Sequence, residues 1–284
     1  MTEVPGTLTL IDLGPARAAQ TTSEAVARLQ EAEADGSRVY GFGHARRIVA
    51  EIAPNLKIIP LEPFYRDAAV ERRVVYKEIA RTLLTEAFDD GLDVVYLATG
   101  SPLFLDDMVL LIRRYCKAER LSLRLIHGLS FVDMVLDRVF WTGRGGLQIQ
   151  AARNVARGLV DLAPDVPALL VQLGEFTSTV ETYDTSRSIE VLGTLRARLR
   201  EKYPGTHPVT ILYSSGTPHY RSLARHVELD DLGAAPVTIY SNLWVPAMGG
   251  PAAQTEITPD LWGEQTAQRL ERAATHAPKG DHKA

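Results

Sequence analysis

Apolar positions along the chain fall into two rhythms. Short, nearly continuous apolar runs alternate with longer stretches in which apolar residues recur every three or four positions. The run from Thr7 to Leu13 closes on Gly14-Pro15 and reads as a buried strand followed by a turn. Glu24, Ala25, Val26, Ala27 and Leu29 then suggest a helix, with Ser23 as its N-cap and Gly36 at its end. Arg38 to Phe42 and Lys57 to Leu61 read as two further strands. From Arg66 to Asp90 the spacing predicts a long helix whose stripe is Val75, Ile79 and Leu83. Asp93 to Ala98 is apolar through its middle, the pattern of a strand covered on both faces. A helix from about Asp107 to Glu119, a strand from Leu121 to Ile126 and another helical stretch follow. Strand and helix in alternation imply a mostly parallel sheet flanked by helices.

The pattern changes after about residue 145. Ala168 to Leu173, Val209 to Ser214, His226 to Leu229 and Val237 to Leu243 read as short strands, and Ile189 to Lys202 as a helix. Pro and Gly fall between them, which suggests a second α/β lobe with a mixed sheet. The expected division is 1–145, 146–272 and a small, polar tail at 273–284 that is expected to be disordered.

Composition narrows the functional classes. The 284 residues carry a net charge of -4, so there is no general basic footprint for nucleic acid. No apolar run approaches the length of a membrane span, and the start of the chain does not resemble a signal peptide. The single cysteine, Cys116, sits in an expected helix and reads as packing; with no disulfide possible, a cytoplasmic location is expected. Seven scattered histidines give no metal-ligand spacing, so no metal is expected.

Three strings at strand ends carry the candidate chemistry. Asp93-Val94-Val95-Tyr96-Leu97-Ala98-Thr99-Gly100-Ser101-Pro102-Leu103-Phe104 is a buried strand running into a tight turn. Gly100 permits close backbone approach and Pro102 fixes the turn. Leu125-Ile126-His127-Gly128-Leu129-Ser130-Phe131 ends a strand and supplies Ser130 as a helix cap. Ile11-Asp12-Leu13-Gly14-Pro15-Ala16 ends the first strand. In their order and spacing, these strings resemble the tetrapyrrole methylase superfamily, over roughly Thr7 to Ala247. The family shows Gly-Asp-Pro where Ser101 replaces the aspartate here, Pro-Gly-x-Ser where His127 replaces the proline, and Gly-x-Gly-Pro-Gly where only Gly14-Pro15 survives. The last departure argues against a standard corrin or sirohaem methylase.

In the second half, Leu169 to Gly174 resembles the family strand that presents its backbone to adenine. Tyr213-Ser214-Ser215-Gly216 and Tyr240 to Pro246 resemble later cofactor-lining elements. The aromatic-Val-Pro ending is similar to the methylase-like domain that accompanies MazG-type pyrophosphohydrolases, and the likeness extends to the borosin peptide N-methyltransferases. The resemblance implies a two-lobed α/β fold, a homodimer and S-adenosyl-L-methionine as cofactor. It implies cofactor contacts from Thr99, Gly100, Ser101, Leu103, Ser130, Phe131, Gln172, Tyr213, Ser214, Asn242 and Leu243.

The acceptor side is expected around Tyr65, Arg72 and Tyr76. Arg72 and Tyr76 are four apart and share a helix face. A nearby guanidinium favours the phenolate form, which would help a poor amide nucleophile lose its proton. The borosin enzymes are similar here, with a basic residue one turn before a tyrosine. Backbone amide methylation of a peptide supplied in trans is therefore the leading expectation. Methylation of a small metabolite, or a domain that binds the cofactor without transfer, stands as the alternative.

Overall fold

A computed structural model describes residues 6–65, 72–101, 103, 106–139, 141, 145–174, 186–214, 222–234, 237 and 241–249. The expected tail at 273–284, the start of the predicted helix at Arg66, and Ser215, Gly216 and Tyr240 lie outside the described residues.

Five strands form a first sheet, sheet A: β1 (Leu8–Asp12), β2 (Arg38–Gly41), β3 (Ile58–Pro60), β4 (Val94–Ala98) and β5 (Leu123–Ile126). Their order is β3-β2-β4-β1-β5 and every pairing is parallel. One face carries Ile11, Val39, Val95, Leu97 and Ile126, packed under α1 (Ser23–Asp35) and α2 (Gly43–Ile52) through Leu29, Ile48 and Val49. The other face carries Leu8, Leu10, Val94 and Tyr96, under α3 (Arg72–Phe88) and α4 (Asp107–Glu119) through Val75, Ile79, Leu83 and Ile112. Burial on both faces is why β1 and β4 read as unbroken apolar runs rather than alternating ones. Cys116 packs into the same cluster, where burial pushes its thiol pKa up.

Two local readings are corrected. Thr22, not Ser23, caps α1: its backbone is extended and its hydroxyl accepts from the Ala25 amide, while Ser23 is already helical. The expected pattern gave no helix after Gly43, yet α2 forms there. Its N-cap Phe42 has no capping side chain, and the Gly43 amide instead donates to the Glu62 carboxylate, 19 residues away.

Sheet B consists of β6 (Gln148–Ala151), β7 (Ala168–Val171), β8 (Pro208–Tyr213), β9 (Leu223–Glu228) and β10 (Asn242–Val245), in the order β6-β7-β10-β8-β9. β6 and β7 are parallel and the remaining pairs antiparallel, so the sheet is mixed. Leu170, Ile211, Leu243 and Val245 face α6 (Ala152–Ala156) and α7 (Ser186–Arg200). Leu169, Val171, Leu212 and Trp244 face α5 (Phe131–Leu136) and the Trp141 region. β6 was not anticipated, because glutamines fill it. Gln148 uses its side-chain amide to bond the Ala163 and Val166 backbone, so a polar residue belongs on this edge strand. The architecture is the expected two-lobed α/β fold, with a parallel first sheet and a mixed second one.

Candidate active site

The connections of sheet A locate a crevice. After β1 the chain runs through α1 to β2, beyond β4; after β4 it runs through α4 back past β1 to β5. Neighbouring strands β1 and β4 thus send their connections in opposite directions. Open parallel sheets bind ligands outside the carboxyl ends at such a reversal. The two anticipated turns meet there. Leu13 N–H donates to the Ala98 carbonyl at 3.0 Å, and Gly100 N–H donates to the Gly14 carbonyl at 3.0 Å. Gly100 has φ +75°, and the position of its missing side chain is open, with no atom within 4 Å. Gly100 itself is buried, and the open position marks room beside the turn.

Asp12 stitches this edge together, and sequence reasoning assigned it no role. It is the last residue of β1 and fully buried. Its carboxylate accepts from the Gly14 amide at 2.7 Å and from the Gly128 amide at 3.0 Å. A Cβ on Gly128 would lie 2.6 Å from the Asp12 carboxyl carbon, so only glycine allows this approach. Burial raises the Asp12 pKa to about 6, against the lowering effect of the two amides. The signal available in the sequence was a charged residue closing an otherwise apolar strand.

His44, in the first turn of α2, brings Nε2 to 2.6 Å from Thr99 Oγ1. Its ring stacks on Phe42, with centroids 6.0 Å apart and planes 7° apart. Phe42 meets Tyr65 at 5.8 Å, and Tyr65 meets Tyr76 edge-on at 6.5 Å. Two of the three anticipated acceptor-side residues, Tyr65 and Tyr76, are thus brought together. Arg72 opens α3 one turn before Tyr76, but its side chain is outside what is described. Below the pair, buried Tyr96 donates to Asp106 at 3.1 Å. Burial, Asp106, Tyr65 and Tyr76 together hold the Tyr96 phenol well above its ordinary pKa. Burial likewise raises Asp106, opposed by the Val109 amide and the Tyr96 hydroxyl. His44, Tyr96 and Asp106 were not anticipated, since their partners are distant in sequence.

Of the remaining expected cofactor residues, Ser101 follows Gly100, and Leu103 is 46% exposed. Ser130 caps α5 by accepting from Val132 N–H, and its own N–H donates to Asp133. Phe131 packs toward sheet B. Gln172, Tyr213, Ser214 and Asn242 gather at one edge of sheet B, because antiparallel pairing sets the start of β10 beside the ends of β7 and β8. Leu173 N–H donates to the Ser241 carbonyl at 2.8 Å there. Gln172 adopts φ +57°, a left-handed conformation costly for a residue with a side chain. Leu243 differs from the rest: it is fully buried, its side chain in the core against α7 and its strand paired on both sides by β7 and β8. His127 offers its carbonyl to the Thr22 hydroxyl at 3.2 Å. Among the described residues no group of His, Cys, Asp and Glu could hold a metal ion, and no helix is long and apolar enough to cross a membrane.

A family model described as Tetrapyrrole (Corrin/Porphyrin) Methylases matches residues 7–231. The chain belongs to that family. It is accordingly an S-adenosylmethionine-dependent methyltransferase in class. Among solved structures, it is similar to a cobalt precorrin-4 methyltransferase of cobalamin biosynthesis, at 13% identity and a TM-score of 0.54 over 84% of this chain and 94% of that one. A uroporphyrin-III C-methyltransferase from Thermus thermophilus gives 16% identity and a TM-score of 0.56, over 84% and 91%. A diphthine synthase gives 16% and 0.58, over 85% and 90%. At such identities these likenesses concern the fold. No curated protein matches the sequence.

Proposed function

We propose that this methylase-family chain transfers the methyl group of S-adenosylmethionine to a small-molecule acceptor at the carboxyl edge of sheet A. The observation that carries the reading is the junction of the Gly14 and Gly100 turns at the strand-order reversal, with open space over Gly100. Two similar solved structures, a uroporphyrin-III C-methyltransferase and a cobalt precorrin-4 methyltransferase, support a small-molecule acceptor over the peptide expected from sequence.

The residues present fit the cofactor. The room left beside Gly100, flanked by the Thr99 and Ser101 hydroxyls, suits an ammonium-carboxylate end. Leu103, Ser130 and Phe131 would border that position, and Gln172, Tyr213, Ser214 and Asn242, at the sheet B edge that Leu243 backs from the core, would receive the nucleoside. Bound S-adenosylmethionine supplies a sulfonium methyl, which accepts the acceptor's lone pair as the carbon–sulfur pair returns to sulfur. The protein's task is alignment of the nucleophile with that carbon, which is positioning. Tyr76, buttressed by Tyr65 and one turn after Arg72, orients the acceptor through its hydroxyl.

Calorimetry with S-adenosylmethionine and S-adenosylhomocysteine tests the first half. Transfer of a labelled methyl group into fractionated small-molecule extract tests the second. Heat with label in a low-mass product is expected. Absence of heat with both ligands overturns the reading, and heat without label leaves a binding domain. Label in a peptide fraction moves the assignment to a second reading, borosin-like amide methylation in trans. The kinship with the MazG-associated branch belongs to that second reading. We further propose a cytoplasmic homodimer, divided at residue 145, whose assembly does not need 273–284. Sedimentation of the full chain and of a chain ending at 272 checks this, and a monomer at micromolar concentration rejects it.

A further inference from the structure

We infer that His44 is a positioning residue that holds the Thr99-Gly100-Ser101 turn in the shape that receives the amino-acid end of the cofactor. This rests on the cofactor reading of that turn given above. β2 and β4 are neighbours in sheet A and run the same way, so α2 and the turn after β4 emerge side by side. The exposed His44 ring contributes nothing to the core, yet its place is set from several directions. Phe42 stacks on it, Phe42 is itself held by Tyr65, and the adjoining Gly43 amide is tied to Glu62.

From that fixed position, Nε2 meets Thr99 Oγ1 at 2.6 Å. The turn is then clamped at two points. Gly14 holds it through the Gly100 amide on the β1 side, and His44 holds it through the Thr99 hydroxyl on the β2 side. A loop already ordered in its bound shape binds more tightly than one that must be ordered by the ligand. An exposed side-chain hydrogen bond adds little to fold stability, so its effect should be read in ligand affinity. His44 also stands at the head of the ring sequence Phe42, Tyr65 and Tyr76. It is the link between the cofactor turn and the acceptor-side phenols.

The test is calorimetric titration with S-adenosylhomocysteine, which needs no knowledge of the acceptor. His44→Ala should weaken binding by about five- to tenfold, the effect of one hydrogen bond. His44→Gln should recover most of the loss, because its amide nitrogen can reach the Nε2 position. Thr99→Val also removes a hydroxyl beside the cofactor, so it should weaken binding at least as much as His44→Ala, and adding His44→Ala to it should cost nothing further, as expected for two ends of one interaction. If the unaltered protein does not bind, the cofactor reading falls and this inference with it. If it binds and His44→Ala is unchanged, the inference alone falls. Additive losses in the double variant, or no recovery with His44→Gln, overturn it equally. Should His44→Ala fail to fold by circular dichroism, Thr99→Val decides: unchanged affinity in that variant rejects the clamp.

Discussion

Replacing Asp12 by Asn should abolish a loss of stability that sets in between about pH 4 and about pH 6. The carboxyl is fully buried at the end of β1, and its pKa stands at about 6 instead of the ordinary 3.8. Its folded-state pKa is raised, so between those values the folded chain holds a proton that the unfolded chain has released. Stability from this group therefore falls as pH rises from about 4 to about 6 and is level above that. A difference of about 2 units corresponds to roughly 2–3 kcal/mol, at 1.36 kcal/mol per unit. Asn is uncharged like the protonated acid, but it has one acceptor oxygen and an NH₂ that only donates. It keeps an acceptor for the Gly14 amide and leaves the Gly128 N–H facing a donor, which costs about 1–3 kcal/mol at every pH. Between pH 4 and pH 8 the difference between the two proteins should therefore move by about 2 kcal/mol in favour of Asp12→Asn, on top of the constant cost at the Gly128 amide. Urea unfolding of both across this range is the assay. Groups other than Asp12 titrate in both proteins and cancel in the difference. Parallel curves, with a constant gap at every pH, would refute the reasoning.

Three other substitutions probe the site. Tyr76→Phe removes one hydroxyl and keeps the ring contact with Tyr65, so single-turnover methylation should fall roughly 10²–10⁴-fold while cofactor affinity stays within a few-fold; an unchanged rate returns Tyr76 to a packing role. Gly128→Ala drives a methyl against the Asp12 carboxylate and should cost about 2 kcal/mol or more of stability, measured by denaturation, with a neutral effect arguing against the stitch. Gln172→Val should destabilise by about 1–2 kcal/mol because a β-branched residue resists φ +57°, whereas Gln172→Gly should not; equal thermal shifts would show that this backbone is relaxed.

The sequence was most informative where packing is local and repetitive. The stripe of Val75, Ile79 and Leu83 identified α3, and α4 has the bounds its pattern suggested. The apolar runs at Val94–Ala98 and Leu8–Asp12 announced central strands. Elements completed by distant partners were hidden. α2 begins at Gly43 because Glu62 arrives to accept its first amide, and β6 tolerates Gln148 because the segment near Ala163 bonds it. The site divides the same way. Gly100 and Ser130 belong to strings with their own turn and capping signals. Asp12 and His44 gain their meaning only when Gly128 and Thr99 are folded against them, whereas Asp106 also carries a local signal as the N-cap of α4. Thr22 and Ser23 show the limit of a local rule: both residues suit a cap, and the backbone chooses the one still extended.

α5 has a divided allegiance. It grows directly from the loop after β5 of sheet A, yet Val132 and Val135 are buried with Leu169, Val171, Leu212 and Trp244 of sheet B. A chain cut after residue 145 would leave this helix on the first piece with its apolar side bare, and the second piece with one side of its sheet uncovered. Neither piece would be a self-sufficient folding unit. Denaturant should consequently melt both sheets in one transition, and the two halves expressed separately should be sticky alone and soluble when mixed. The helix works as a tongue in a groove, and two sheets without a shared strand become one mechanical body.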